Sequence, residues 1–238
     1  MILNIQNLIK RFEQKEVLNI PQLTINEGGL IGVLGNNGAG KTTLFRLCLD
    51  LLKADEGFVL IDNENVSQSN AWKKYTSAFI DAHFLIDFLT PEEYFYYISD
   101  LYGISKKEID AILVDFIPFM DNEILNQKKH IDKFSKGNKQ KIGIIGAMLI
   151  RPRLLILDEP FNFLDPSSQI IMKRVLREYN QKYGTAILLS SHNIQHVTDI
   201  CTRIVVLEAG GIIRDEKNIN ETTKLEIENY VTTQLLSK

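Results

Sequence analysis

A glycine-rich segment directly after an apolar run is the feature that most constrains the fold. Leu30–Leu34 predicts a buried strand, residues 35–40 a turn and residues 41–52 a helix. Residues 35–43 match the pattern G-x-x-x-x-G-K-[ST], in which glycines let consecutive backbone N–H groups curl around phosphate oxygens. The helix N-terminus adds a favourable dipole. The loop predicted to hold a triphosphate consists of Gly35, Asn36, Asn37, Gly38, Ala39, Gly40, Lys41, Thr42 and Thr43.

Two side chains of this loop carry specific chemistry. Lys41 is placed to reach the β- and γ-phosphates, and the Thr42 hydroxyl can ligate Mg²⁺. The loop therefore predicts a site for the phosphates of a nucleotide together with magnesium.

The order of elements predicts an α/β protein with a largely parallel sheet, because strand-like and helix-like runs alternate along the chain. Residues 58–61 and 77–80 are further predicted strands. Residues 1–27 predict a small antiparallel sheet. From Thr90, which precedes Pro91 as a helix cap, to about residue 150 the pattern is helical, so we expect a helical insertion. Residues 221–236 predict a final amphipathic helix.

Composition excludes several classes of protein. With 238 residues, 45% apolar and 24% charged, the chain resembles an ordinary globular protein rather than a disordered or fibrous one. With a net charge of −3, the chain lacks the positive electrostatic field of a nucleic-acid-binding protein, so we expect no nucleic-acid partner. Two cysteines, Cys48 and Cys201, indicate a reducing compartment.

No segment predicts a membrane span or a signal peptide. The longest strongly apolar run, residues 142–150, makes about 14 Å of helix against a hydrocarbon core of roughly 30 Å. We therefore expect a cytoplasmic protein that serves a membrane only through a partner.

An apolar strand that ends in two acids supplies the second half of a candidate site. Leu154–Leu157 precede Asp158 and Glu159, which a parallel sheet would present at its carboxyl edge. Asp158 is placed to hold Mg²⁺, and Glu159 to orient and polarise an attacking water. The guanine-binding pattern N-K-x-D is absent, which excludes a GTPase, and Glu159 favours hydrolysis over a kinase reaction.

Residues 134–141 lie directly ahead of the apolar run at residues 142–150, and about 20 residues before the acidic strand. Ser135 predicts a helix N-cap, and Gly137 leaves a backbone N–H accessible. From the residues alone this segment is only a capped helix.

In order and spacing, these segments resemble the nucleotide-binding subunit of ATP-binding-cassette (ABC) transporters over nearly the whole chain. The matching segments are Walker A at residues 35–43, the signature at 135–140, Walker B at 154–159, the D-loop at 162–165, the switch histidine at His192 and the adenine-stacking aromatic at Phe12.

The resemblance implies a single domain over residues 1–238. Its P-loop NTPase (RecA-like) core comprises residues 1–89 and 151–238 and includes an N-terminal antiparallel part, and residues 90–150 form a helical subdomain. Two copies, identical or related, would bind head to tail around two ATP molecules and Mg²⁺ and drive a separate transmembrane permease. Glu159 and His192 are the expected catalytic residues. The other expected nucleotide contacts are Phe12, Asp165 and, from the opposite protomer, Ser135, Lys136 and Gly137.

Three positions depart from the family pattern. Lys136 and Asn138 replace a glycine and a glutamine of the signature, and Asp81 stands where a metal-binding glutamine is expected. These changes resemble the compact exporters of drugs and antibiotics, which would place the chain peripherally on the inner face of the cell membrane. Asp81 is thus a candidate metal ligand, or a cap for the following loop.

Several residues suit more than one role. Phe12 alone would suit the core as well as a nucleotide contact. His192 and His196 lie four residues apart, but no third ligand supports a metal pair, and His196 suits a surface or packing position. Residues 94–97, an aromatic run, suit either a permease dock or helix packing. For the whole chain, a soluble non-transport ATPase and a regulatory ATP-binding module are the competing functions.

Overall fold

The computed structural model describes residues 1–217 and 219–236, which form two β-sheets and their surrounding helices. The strands are β1 Leu3–Phe12, β2 Lys15–Ile25, β3 Leu30–Leu34, β4 Glu56–Ile61, β5 Glu64–Asn65, β6 Thr76–Phe79, β7 Leu154–Leu157, β8 Ala186–Ser191, β9 Arg203–Glu208 and β10 Gly211–Lys217. The helices are α1 Lys41–Cys48, α2 Pro91–Leu101, α3 Lys106–Leu113, α4 Ile117–Met120, α5 Lys136–Leu149, α6 Pro166–Tyr183, α7 Ile194–Ile200 and α8 Glu221–Leu236. Within the described residues, no helix is both long enough and apolar enough to cross a membrane.

The central sheet positions the candidate site. Its strand order is β10-β9-β3-β8-β7-β6, and every neighbouring pair is parallel except β9 and β10. Parallel strands present their carboxyl ends at one edge, where open α/β sheets bind ligands. The residues that follow β3, β7 and β8 therefore meet, and the predicted α/β class with a mainly parallel sheet is confirmed.

Successive residues of the central strands belong to two separate cores. In β7, Leu155 and Leu157 pack with the helices α2 to α7 on one face of the sheet. Leu154 and Ile156 pack with α1 and the N-terminal sheet on the other face. Side chains alternate between the faces of a strand, and both faces of this sheet are covered, which explains its continuous apolar runs.

The predicted N-terminal antiparallel sheet is confirmed, and it contains two strands, β4 and β5, in addition to the two that residues 1–27 supply. Its order is β2-β1-β4-β5. Residues 58–61, predicted as part of the alternating α/β series, lie in β4 and pair antiparallel with β1, where Leu3 faces Ile61. The predicted strand is therefore confirmed. Its sheet could not be predicted, because partner choice depends on residues distant in the sequence.

The segment between β6 and β7 is helical, and its first helix begins where predicted. The Thr90 hydroxyl accepts from the Glu93 N–H at 3.3 Å, and the Glu93 carboxylate accepts from the Thr90 N–H at 2.8 Å. Helical periodicity in the sequence continues from Thr90 to Phe119. The structure interrupts the helix after α2, where Gly103 has φ 68° and a second capping box at Ser105 starts α3.

Two other helix ends differ from the predicted ones. α1 ends at Cys48 rather than at residue 52, and Asp50 just beyond it adopts a left-handed φ of 52°. The sequence also predicts a helix from about residue 166 to 181. α6 ends two residues later, at Tyr183, and its C-cap Gly184 has φ 65°. α8 has the predicted bounds.

Close packing of α5 on the central sheet predicts a large effect of one methyl group. A Cβ on Gly143 would lie 2.0 Å from Cε2 of the buried Phe79 ring. Overpacking a core costs about 1–3 kcal/mol, so Gly143→Ala should lower the free energy of unfolding by at least that amount in urea titrations. The matched control is Gly146→Ala, whose Cβ meets the edge of the half-buried Tyr94 ring at 2.8 Å and should cost less. Equal losses for the two variants would contradict this account.

Candidate functional site

The glycine-rich loop between β3 and α1 has the conformation that its sequence predicts. Gly40 is the N-cap of α1 with φ 105°, a region that side chains disfavour. A Cβ on Gly35 would lie 2.4 Å from the Leu207 carbonyl oxygen, so only glycine fits beside β9. The loop consequently opens its backbone and the N-terminus of α1 toward the carboxyl edge of the sheet.

Lys41 is held at the centre of this loop. Its side chain is nearly buried, and Nζ donates to the carbonyl oxygens of Gly35 at 2.6 Å and Asn36 at 3.1 Å. Nζ also lies 3.1 Å from Oε1 of Glu159. The ammonium therefore stands between the loop and the acidic strand end, where a phosphate bound to the loop would meet it.

Asp158 joins the loop to β7 and β8. Its Oδ2 accepts from the Thr42 hydroxyl at 2.5 Å, and its Oδ1 accepts from the Ser190 hydroxyl at 2.5 Å. Burial raises the pKa of Asp158, although both hydrogen bonds oppose that rise. The sequence predicted that Thr42 and Asp158 act together, and the structure places them in direct contact. A carboxylate beside a hydroxyl is a donor set suited to Mg²⁺.

Glu159 has a strained backbone and a well-connected carboxylate. Its φ is 46°, in the left-handed region that non-glycine residues rarely occupy. Oε2 lies 2.9 Å from Nδ1 of His192, while Oε1 is buried, faces Lys41 and has no aligned hydrogen-bond donor. A carboxylate only accepts, so Nδ1 of His192 carries the proton and Nε2 faces away from Glu159.

Ser190 is a site residue whose role sequence reasoning missed. It is fully buried, donates to Asp158, and accepts from the Glu159 N–H at 2.8 Å. It thereby fixes both acids relative to β8. The available signal was two serines ending an apolar strand at the predicted acidic edge.

Phe12 lies at the end of β1 with 48% of its surface exposed. It lines a cavity of about 270 Å³ together with Gly38, Lys41, Thr43 and Glu159. The Lys10 ammonium lies 5.5 Å from the centre of the ring. The interpretation that Phe12 belongs to the core is therefore wrong, and its ring is available to a ligand on the loop.

The residues around the start of α5 lie against their own chain's loop after β7. The Ser135 hydroxyl accepts from the Asn138 N–H at 3.1 Å, which confirms the predicted N-cap. A Cβ on Gly137 would lie 2.7 Å from the Phe163 carbonyl oxygen, and the Lys136 ammonium lies 5.4 Å from the centre of the Phe163 ring. Among the described residues, no hydrogen bond or ion pair joins Ser135, Lys136 or Gly137 to the phosphate loop of the same chain.

Asp165 is engaged as the N-cap of α6. It accepts from the Ser167 hydroxyl and from the hydroxyl and N–H of Ser168, and these bonds hold its pKa well below the ordinary value. Its predicted contact with nucleotide stays a prediction.

Asp81 follows β6 by two residues and caps the 3₁₀ turn Ala82–Phe84. Its Oδ1 accepts from the His83 N–H at 2.9 Å and lies 2.6 Å from Nδ1 of the His83 ring. Among the described residues, no hydrogen bond joins Asp81 to Thr42 or Asp158. This geometry corresponds to the capping role, and the metal role of Asp81 stays a prediction.

The remaining candidates pack within the protein. His196 stacks on Phe161 with ring centres 4.6 Å apart, and burial lowers its pKa, which confirms the packing interpretation. In the aromatic run, Phe95 is fully buried, the Tyr96 hydroxyl donates to Asp110 at 2.7 Å, and only Tyr97 is largely exposed. Most of this run therefore serves helix packing.

The buried charge of Asp158 predicts a pH-dependent gain of stability in a variant. Because its pKa is raised above the ordinary 3.8, wild-type stability falls as the pH rises through the range above that value. Asp158→Asn should therefore unfold at higher urea concentration than wild type at pH 8, with a smaller difference at pH 4. Asp165→Asn is the control of opposite sign, because the pKa of Asp165 is lowered and its charge stabilises the fold at pH 8. A destabilised Asp158→Asn at pH 8 would contradict the assignment.

Comparisons with known proteins agree with this geometry. Residues 18–162 match the family model described as ABC transporter. The ABC transporter ATP-binding protein NatA of Bacillus subtilis is 30% identical over 93% of both chains. The methionine import ATP-binding protein MetN of Burkholderia thailandensis is 31% identical, covering 90% of this chain and 64% of MetN.

Solved structures show the same fold. An ATP-binding subunit of an ABC transporter superposes with a TM-score of 0.85 at 24% identity, covering 99% of this chain and 100% of the other. An ATP-binding cassette solved as a dimer with ADP and phosphate gives a TM-score of 0.80 at 22% identity, covering 92% and 100%. With the family model and the relatives above, these results establish that the chain belongs to the ABC transporter family as an ATP-binding cassette subunit.

Proposed function

We propose that this chain binds ATP with Mg²⁺ as one half of an ATP-dependent dimer and drives a separate transmembrane permease, in the direction of export. Membership of the family makes it an ATPase. The observation that carries the catalytic assignment is the contact chain Lys41–Glu159–His192 at the sheet edge, beside the Thr42–Asp158 hydrogen bond.

Glu159 suits the role of general base. Oε1 is buried, has no aligned hydrogen-bond donor, and lies 3.1 Å from the Lys41 ammonium. When that ammonium turns toward bound phosphate, Oε1 can accept a proton from an attacking water. Oε2 is fixed by His192, so the carboxylate keeps one direction. With a proton on each ring nitrogen, His192 can donate from Nδ1 to Glu159 and from Nε2 to a γ-phosphate oxygen. The Lys41 ammonium can exchange its loop carbonyls for phosphate oxygens, which are stronger acceptors.

Thr42 and Asp158 are the residues that would hold Mg²⁺, which supplies charge neutralisation to the β- and γ-phosphates. Phe12 offers an exposed aromatic face at the rim of the cavity for the adenine ring. These groups bind and orient ATP in one protomer.

A second copy, or a related cassette, completes the site. Ser135, Lys136 and Gly137 make no hydrogen bond or ion pair to the phosphate loop of their own chain among the described residues, which supports a role toward a partner's nucleotide. Asp165 would contribute at the same interface. The cation of Lys136 would offset its unfavourable place in the first turn of a helix by facing a triphosphate.

The permease and the direction of transport rest on resemblance. Lys136, Asn138 and Asp81 are the departures that favour the exporter branch, whereas one relative is named for methionine import. Phe84 and Phe88, between β6 and α2, expose 60% and 72% of their surfaces and support a protein contact beside the helical subdomain at residues 90–150. Through that contact the subunit would lie at the inner face of the cell membrane.

The deciding experiment replaces the proposed base. Glu159→Gln should retain ATP binding but lose about 10²-fold or more of the hydrolysis rate, because the amide cannot accept the proton. It should also accumulate an ATP-bound dimer, visible by gel filtration with ATP and Mg²⁺. The control Glu178→Gln changes an exposed glutamate of α6 and should behave as wild type. Wild-type hydrolysis by Glu159→Gln would refute the assignment, and no hydrolysis by wild type would favour a regulatory ATP-binding module.

A separate test addresses the metal role proposed for Asp81. A carboxylate there would repel the γ-phosphate when Mg²⁺ is absent and attract the metal when it is present. ATP affinity should thus depend on Mg²⁺ more steeply in wild type than in Asp81→Gln, measured by titration with EDTA and with Mg²⁺. An unchanged ratio of the two affinities would leave Asp81 as the cap of its 3₁₀ turn.

A further inference from the structure

The buried side-chain amide of Gln140 contacts the backbone of Glu159, just after β7. It lies in the second turn of α5, exposes 6% of its surface, and donates from Nε2 to the Glu159 carbonyl oxygen at 3.1 Å. The same carbonyl accepts from the Asn162 N–H at 3.1 Å. Both lone pairs of this oxygen are therefore in use, and one of them ties the sheet edge to the helical segment.

The residue held in this way has a strained backbone, with φ 46°. A left-handed non-glycine residue costs about 1–3 kcal/mol and persists only when its surroundings fix it. Around Glu159, the Ser190 hydroxyl accepts from the N–H and the Gln140 amide donates to the carbonyl oxygen. Two side chains from different elements, β8 and α5, thus hold the two polar backbone groups of one residue.

We infer that Gln140 is a positioning residue for Glu159, so that the seating of α5 sets the direction of the catalytic carboxylate. This inference rests on the role proposed for Glu159. The N-terminus of α5 carries Ser135 and Gly137, which the proposed dimer places against the partner's nucleotide. Movement of α5 on forming the dimer would therefore be transmitted through Gln140 to Glu159, which acts on the chain's own nucleotide.

The contacts of the Glu159 side chain explain why backbone direction matters. Oε1 lies 3.1 Å from Nζ of Lys41, and Oε2 lies 2.9 Å from Nδ1 of His192. A small rotation of the Glu159 backbone would therefore break one of these contacts or both. A misplacement of about 1 Å can cost roughly 10²-fold in rate. The loop proposed to bind nucleotide is residues 35–43, and Gln140 does not touch it among the described contacts. Loss of the Gln140 amide should therefore affect hydrolysis more than nucleotide binding.

The test removes the donor and keeps the size of the side chain. Gln140→Met should lower kcat for ATP hydrolysis about tenfold, with KM and the ATP dissociation constant within about twofold of wild type. Gln140→Asn keeps an amide on a side chain one methylene shorter, and it should likewise lower kcat without changing KM. This second variant keeps the test valid if the methionine variant misfolds. The control is Gln127→Met, because the Gln127 amide also donates to backbone carbonyls, those of Asn122 and Leu125, and its described hydrogen bonds involve neither acid.

A double variant separates positioning from a general structural effect. If Gln140 acts through Glu159, Gln140→Met should have no further effect on the residual hydrolysis of Glu159→Gln. The same tenfold loss in that background would overturn the inference, as would wild-type kcat in both Gln140 variants while Glu159→Gln is inactive. Wild-type hydrolysis by Glu159→Gln itself would instead refute the proposed function.

Discussion

The hydrogen bond between Thr42 and Asp158 is the interaction on which the arrangement of the site depends. It joins residues 116 positions apart and closes the phosphate loop onto the end of β7. The second oxygen of Asp158 accepts from Ser190, so one buried carboxylate connects the start of α1, the end of β7 and β8. Burial of the charge costs stability, the two hydrogen bonds offset part of that cost, and a bound cation would offset more.

The features that could be predicted from the sequence depend only on residues that are close together in the chain. The phosphate loop, the acids after β7, and the caps Thr90 and Ser135 each depend on a few neighbouring residues, and the structure shows them where they were expected. A buried parallel strand is likewise recognisable from its continuous apolar run, because both of its faces are covered.

The features that sequence reasoning missed depend on distant contacts. The pairing of β4 with β1 follows from how the chain returns after α1, and no local pattern distinguishes it from a strand of the parallel series. The hydrogen bonds of Ser190 and Gln140 to Glu159 depend on which backbone groups lie nearby after folding. Asp81 shows a third kind of difficulty, since a capping carboxylate and a metal ligand look identical in one sequence.

The alternation of β7 between two cores has a mechanical consequence. Leu155 and Leu157 contact the layer that contains α5, whereas Leu154 and Ile156 contact the layer with α1 and the N-terminal sheet. The central sheet thus separates the layer that contains α5 from the layer that contains the N-terminal sheet, where Phe12 lies at the end of β1. If α5 tilts with its layer, the end of β7 that carries Asp158 and Glu159 would shift relative to the layer with α1 and the N-terminal sheet.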